Sequence, residues 1–328
     1  MEESSIAEET EVTQNEIGIN INFVEGNVEI NGELIEGGWK PAWKRLKEKK
    51  KKGIKAKRIE EFSTKEQQSR IYKEQEEECH VWLTQNISPT KTASIMALLE
   101  QMVETRSWKR TRGLVDDGRC RLCKQHLETV EHLVAGCTKL ANNEYLNRHN
   151  RALMVLALAG AKKYELVNND TIWYEQRWTR GTNLENHRAK LVWDFEFHLR
   201  KTTTSRRPDL VLESKEEKKI MICDMACPQS TNIVTKREEK LTKYRQLAFE
   251  IKERRPGYNV YVVPVIIGAL GGGIRSLRVD LKKLFNENDK ELLNEVIATM
   301  QRTVLMDSES LVRRVISGLI QEKEEEGN

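Results

Sequence analysis

Two groups of residues have the types and spacing that chemistry needs. The first is Cys120-x2-Cys123-x8-His132-x4-Cys137. A Cys-x2-Cys knuckle presents two thiolates from one tight turn, and ETVEHLVAGC reads as a helical turn carrying His132, with Cys137 just past its end. Three thiolates and one imidazole complete the tetrahedral shell that zinc takes in structural sites. A closed shell leaves no position for a reacting water, so it predicts scaffold rather than catalysis. His126 is the rival ligand, but its closeness to Cys123 leaves little chain to wrap back onto the ion. Buried reduced thiols are the alternative to a metal. The second group is Asp209 and Asp224, with fourteen residues between them, each set in an apolar run (DLVLE and KIMICDMAC). Two acids brought to one end of a small sheet, followed by a lysine-bearing helix, form a metal-dependent phosphodiesterase geometry. Taken alone, the pair reads equally as polar strand positions facing water.

The elements that must position these groups follow from hydrophobic period and turn chemistry. SKEEKK between the two acid-bearing runs suits an exposed hairpin turn, which would pair the strands and bring the acids together. After Pro228 the pattern predicts one long helix ending before Pro256, with Leu241, Tyr244, Ala248 and Ile251 facing the sheet. Lys236, Lys240 and Lys243 form a neighbouring stripe, which elsewhere would be a solvated face. NVYVVPVIIGALGGGI predicts a buried strand, parallel or central, with a glycine-rich exit that is not a dinucleotide fingerprint. Residues 90–106 give a helix with Thr90 as N-cap, and YLNRHNRALMVLALAGAKKYEL a second one stopping near Gly160. TIWYEQRW reads as a strand. NHRAKLVWDFEFHLRK reads as another, with Leu191, Trp193, Phe195 and Phe197 inward, and Asp194 and Glu196 on the opposite side as weaker candidates for the metal site. The chain is expected to end in two helices, the second capped by Ser308 or Ser310.

Composition sets the frame. Charged residues are 32% and hydrophobic ones 38% of 328, which predicts one moderate core and a substantial unstructured fraction. The net charge of +4 is unevenly spread. The first sixteen residues hold six glutamates and no base, whereas Lys40 to Arg58 hold eleven bases against Glu48 alone. That basic run predicts a phosphate-seeking arm or a nuclear-import signal, with a solvated linker as the plainer alternative. Trp39 and Trp43 could anchor a short segment, though Pro41 argues against a continuous helix there. The acidic N-terminus lacks a signal-peptide pattern, and no apolar run approaches the roughly 18 residues of a membrane span. An intracellular chain with reduced thiols is expected, in which clustered cysteines favour metal.

The order Arg207-Pro208-Asp209, Asp224, then EEKLTKY with Lys240 and Lys243, resembles the restriction-like endonuclease of site-specific non-LTR retrotransposons. WDF (193–195), DMACP (224–228), PVIIGALG (264–271) and the upstream CCHC knuckle are similar to that family as well, over roughly residues 105–322. The resemblance implies an α/β fold with a PD-(D/E)xK core of the αβββαβ pattern. With composition and pattern, the expected layout is a disordered acidic then basic arm (1–65), a helical linker with the zinc knuckle (66–145), the endonuclease (146–290) and C-terminal helices (291–328). It implies a nuclear, magnesium-dependent DNA endonuclease, a phosphodiester hydrolase that nicks DNA so that the 3′ end primes reverse transcription. Asp209 and Asp224 would hold magnesium, Lys240 or Lys243 would stabilise charge on the phosphate, and Arg206, Arg207 and Lys236 would hold DNA. The implied partners are DNA, element RNA and a reverse transcriptase acting in trans, with no membrane. Two departures stand out. Met225 and Ala226 follow Asp224 where E-x-K is usual, so the lysine is expected from the next helix. No Tyr-x-Asp-Asp polymerase box is present, so the chain is expected to be the C-terminal third of an element protein. The contrasting expectation is a catalytically inactive zinc-knuckle remnant that binds nucleic acid.

Overall fold

The structure is a computed structural model describing residues 21–24, 27–30, 32–36, 38–48, 81–198 and 207–320. It divides into two compact units, residues 1–73 and 74–328. In the first, β1 (Ile21–Val24), β2 (Asn27–Ile30) and β3 (Glu33–Ile35) form an antiparallel meander. A helix, α1, covers residues 39–48. Within the largely unstructured arm expected over residues 1–65, GININFVEGNVEI reads as a short strand, and strands form there: Val28, Ile30 and Ile35 are buried with Ala42 and Leu46 of α1. Pro41 does not break α1, because it lies in the first turn, where an amide hydrogen has no partner to lose. Trp39 and Trp43 stack one turn apart, 5.5 Å between ring centres. Most of the basic run, from residue 49 on, lies outside the described residues.

The second unit is mixed α/β. Its sheet has five strands in the order β4 (Asn183–Glu185), β5 (Ala189–Trp193), β6 (Leu210–Ser214), β7 (Lys219–Ala226) and β8 (Asn259–Ile266). Pairing is antiparallel up to β7, and β8 joins parallel to β7 at the edge. A parallel join needs a crossover, and it is made by α5 (Ile233–Lys243) and α6 (Arg245–Arg254). These pack on one face through Tyr244, Leu247 and Ile251 against Val211, Ile220 and Ile222. The other face is covered by α4 (Leu146–Lys163), α7 (Ile274–Leu281) and the 27-residue α8 (Lys290–Ile316). Gly160 lets α4 press onto the sheet, since a Cβ there would lie 3.1 Å from the Leu212 side chain. The central strands β6 and β7 are buried on both faces, which is why they read as near-continuous apolar runs.

Ahead of the sheet come α2 (Pro89–Leu99), α3 (Arg106–Arg110) and a cysteine-bearing knuckle. The N-cap of α2 is Ser88, not Thr90: the Ser88 hydroxyl accepts from the Lys91 amide and Pro89 takes the N1 position suited to it. Three further expectations change. Residues 171–178 form turns rather than a strand. β5 ends at Trp193, because Asp194 takes φ +50° and turns the chain, leaving Phe195 exposed. The long helix after Pro228 is split at Tyr244.

Candidate functional site

The knuckle is built from short-range hydrogen bonds. The Cys120 amide donates to the His126 carbonyl (2.7 Å), and the Lys124 amide donates back to the Cys120 carbonyl (2.9 Å), with Lys124 at φ +58° closing the turn. A bridge between Arg119 and Leu127 and the Glu128 amide on the Gly118 carbonyl complete a small hairpin. The second pair of donor side chains comes from a single π-helical turn, His132–Gly136, whose widened pitch brings His132 and Cys137 to the same side. The Thr129 hydroxyl accepts from the His132 amide at its start. At its end, the Tyr145 hydroxyl accepts from the Cys137 amide (3.0 Å) and donates to the Leu133 carbonyl (2.9 Å).

One donor atom from each of Cys120, Cys123, His132 and Cys137 lies within 4.8 Å of the other three. Cys120 and Cys137 sulfurs are 4.0 Å apart, close to the roughly 3.8 Å edge that a tetrahedron with zinc–sulfur bonds requires. Cys123 Sγ and His132 Nε2 are 3.3 Å apart. All four side chains are nearly buried, and the hydrogen bond from Cys137, aided by His132, pulls the Cys120 thiol far below its usual range. His126 stays outside the shell, its ring 5.5 Å from that of His132. The donor set is closed and soft, as structural zinc demands. Residues 40–142 match the family described as zinc-binding in reverse transcriptase. This part of the chain is similar to that zinc-binding domain, and its Cys3His cluster supplies the ligands. No curated protein matches the chain.

The zinc domain is tied to the rest of its unit by a buried ion pair that the sequence did not signal. Glu128, fully buried, holds the Arg121 guanidinium through both oxygens (2.9 and 2.7 Å) and also accepts from the Arg106 amide. The far side of Arg121 donates to the Val315 and Ile316 carbonyls at the C-terminus of α8. Arg121 is therefore a helix-capping strut, committed to packing rather than free at the surface. Arg112 does remain on the surface, its guanidinium 3.7 Å above the Trp108 ring centre.

The acid pair lies at one end of the sheet. Register places Leu210 opposite Cys223, so Asp209 at the mouth of β6 adjoins Asp224 on β7, and the expected hairpin turns over residues 215–218. The Met225 amide donates to Asp209 Oδ2 (2.7 Å), locking one acid onto the other's strand. Asp224 is 2% exposed and is held by α5. Lys240 forms an ion pair with Asp224 Oδ2 off the hydrogen-bond direction, and Lys243 reaches Oδ1 at 3.4 Å. Lys240 and Lys243 thus both meet Asp224, the acid whose strand also holds Asp209.

Two members of this cluster escaped the sequence reading. His149 on α4 places Nε2 3.1 Å from Asp209 Oδ2, while its Nδ1 meets Asn150 Oδ1 at 2.9 Å. Burial opposes charging of His149, but the Asp209 carboxylate outweighs it and raises the imidazole pKa. Burial would likewise raise Asp209, and the hydrogen bond and charge of His149 reverse that, holding its carboxyl below the usual range. Tyr244 donates its hydroxyl to Asp224 Oδ1 (2.5 Å), also within reach of the Arg207 carbonyl (2.9 Å). Burial, then the Asp224 charge, drives the Tyr244 pKa upward. The sequence showed Tyr244 as a sheet-facing apolar position, which it is; the reach of its hydroxyl carried no signal. His149, sixty residues upstream of Asp209, carried none either.

The remaining candidates sit apart from this cluster. Arg207 grips Asp194 with two bonds (2.6 and 2.5 Å), so both are spoken for and Asp194 does not join the acids. Glu196 instead meets Arg180 at 3.4 Å. Lys236 is half-buried and paired with Glu239. Arg206 lies outside the described residues.

Proposed function

We propose that this chain is the DNA-nicking portion of a site-specific non-LTR retrotransposon protein, with Asp209, Asp224 and a lysine of α5 as the hydrolytic centre of a PD-(D/E)xK core. The observation that carries this is the convergence of Asp209, Asp224, Lys240 and Lys243 at one sheet end, in a chain whose zinc domain is similar to the reverse-transcriptase-associated kind. Asp209 Oδ1 has no hydrogen-bond partner among the described residues, and both acids offer hard oxygen donors suited to magnesium. When bound, that ion supplies Lewis-acid charge for phosphodiester hydrolysis. Lys240 and Lys243 place positive charge where a phosphate meeting the acids gains negative charge. His149, beside Asp209 and able to titrate, holds or moves a proton next to the attacking water. Water bonds to phosphorus as the P–O3′ bond breaks, leaving a 3′ hydroxyl suited to priming. The partners in this reading are DNA, element RNA and a reverse transcriptase in trans, and the compartment is the nucleus.

The burial of Asp224 beneath Lys240, Lys243 and Tyr244 favours a second reading, in which the pair is a structural ion cluster of an inactive zinc-knuckle protein that binds nucleic acid. Supercoiled-plasmid nicking with magnesium separates them. The nuclease reading predicts nicking by the wild type and its loss in Asp224→Asn with the fold retained. Equal nicking by both proteins, or none by either, contradicts it.

A further inference from the structure

A cavity of about 680 Å³ opens beside α4, within the size range of ligand sites. Its floor and walls carry four arginines, Arg148, Arg151, Arg177 and Arg314, against two acids, Glu144 and Asp307. Each acid meets an arginine: Asp307 Oδ1 meets Arg151 at 2.8 Å, its buried Oδ2 having no hydrogen-bond partner, and Glu144 meets Arg314 at 3.0 Å. Two cations remain in excess. Arg177 is exposed and has no partner among the described residues. Arg148 is only 2% exposed; one of its terminal nitrogens donates to the Ser308 hydroxyl, but its Nε has no partner. Arg148 therefore adds positive charge behind the cavity wall, and Arg177 presents it at the surface.

The rest of the lining is aromatic. Trp173 and Tyr174 stand edge to face, ring centres 5.7 Å apart, and Trp178 packs edge-on against Trp193 at 5.8 Å. Tyr174 is 62% exposed, a large ring presented to solvent at the cavity mouth. Arginines for phosphates beside aromatic faces for bases are the two components of a single-strand nucleic-acid channel. The channel also connects to the acid pair: Asn150 lines it, touches His149 Nδ1, and His149 touches Asp209.

We propose that this groove binds an unpaired DNA strand, stacking a base on Trp173 and Tyr174 and seating a phosphate on Arg177, with Arg148 adding charge behind it, so that the strand runs toward Asp209. The proposal rests on the nuclease reading for its choice of DNA. A duplex presents no free base faces, so the groove prefers DNA that is opened or frayed at the cut. The segment from residue 171 to 178, which forms turns instead of a strand, is what exposes these rings.

The test is fluorescence anisotropy on the full chain with labelled oligo-dT, a duplex of equal length and oligo-rU, without added divalent ion so that no cleavage occurs. Single-stranded DNA should bind more tightly than duplex. Tyr174→Ala and Arg177→Ala, both at exposed positions that do not endanger the fold, should each weaken it by roughly tenfold. Arg177→Ala should also flatten the salt dependence by about one phosphate contact. Unchanged single-strand affinity in the double variant, or a preference for duplex or for RNA, overturns the proposal. A protein that binds oligo-dT through these residues yet never nicks plasmid counts against the acid pair and leaves the groove assignment standing.

Discussion

His149 and Asp209 move each other's titration in opposite directions, and the signs fix a pH window. The His149 pKa is raised above its ordinary 6.5, so its contribution to stability is complete below that value and is lost as pH rises through the folded-state pKa. The Asp209 pKa is lowered below its ordinary 3.8, so its contribution is complete above that value and is lost as pH falls through the folded-state pKa. The pair therefore contributes fully between pH 3.8 and 6.5. An NMR titration should place the His149 midpoint above 6.5, and Asp209→Asn should bring it below, because burial then acts without the opposing carboxylate. An unshifted midpoint in the variant would mean that the two are not coupled. Lys240 gives a second residue-scale prediction. Removing it by Lys240→Met leaves the Asp224 carboxylate buried with Lys243 and Tyr244 alone. The expected loss is about 3 kcal/mol, the lower end for breaking a buried pair, read by chemical denaturation.

At the scale of elements, α8 is the spine of its unit. Its Ser308 accepts from Arg148 on α4 and donates to the Ala269 carbonyl (2.7 Å), while Gln301 donates to the Gly271 carbonyl (2.7 Å) and accepts from the Trp82 amide (2.9 Å). Both polar side chains are fully buried mid-helix and pin the glycine-rich exit of β8 in place. Ser308→Ala should cost about 1–3 kcal/mol by orphaning two buried groups, measured as a shift in the denaturation midpoint at unchanged slope. The sequence suggested a break here, because serine caps helices when exposed; nothing local shows that a serine will instead be buried in a tertiary network. The same limit explains the split at Tyr244, whose hydroxyl is drawn to Asp224. The hairpin of β6 and β7 and the parallel strand β8 were legible, since apolar runs and a charged turn are local signals. The Cys3His site was legible for the same reason: all four ligands fall within one short stretch. The positions of His149, Glu128 and Arg121 depend on contacts between distant segments, and those leave no trace in spacing.

For the molecule, zinc and sheet share one framework in the second unit. Cys120, Cys123, Leu133 and Cys137 are buried in a cluster with Leu305, Leu311, Val312 and Val315 of α8, while the N-terminal half of α8 lies in the sheet's core. Metal removal should therefore do more than unravel a knuckle. Metal analysis should find about one zinc per chain. Cys123→Ser, or a chelator, should lower the melting temperature of the whole second unit in one transition. An unshifted sheet transition would show that the two are independent. No helix among the described residues is long and apolar enough to cross a membrane.

Whether the Asp209/Asp224 pair cuts DNA decides between a nuclease centre and a structural ion cluster. The most direct measurement is single-turnover cleavage of end-labelled DNA across a magnesium titration, with wild type, Asp209→Asn and Lys240→Ala compared after circular dichroism confirms their folds. A nuclease centre should give magnesium-dependent cleavage with 3′-hydroxyl ends, reduced by roughly 10²-fold or more in each variant. Cleavage of equal rate in folded Asp209→Asn, or none by the zinc-loaded wild type at any magnesium concentration, would contradict it.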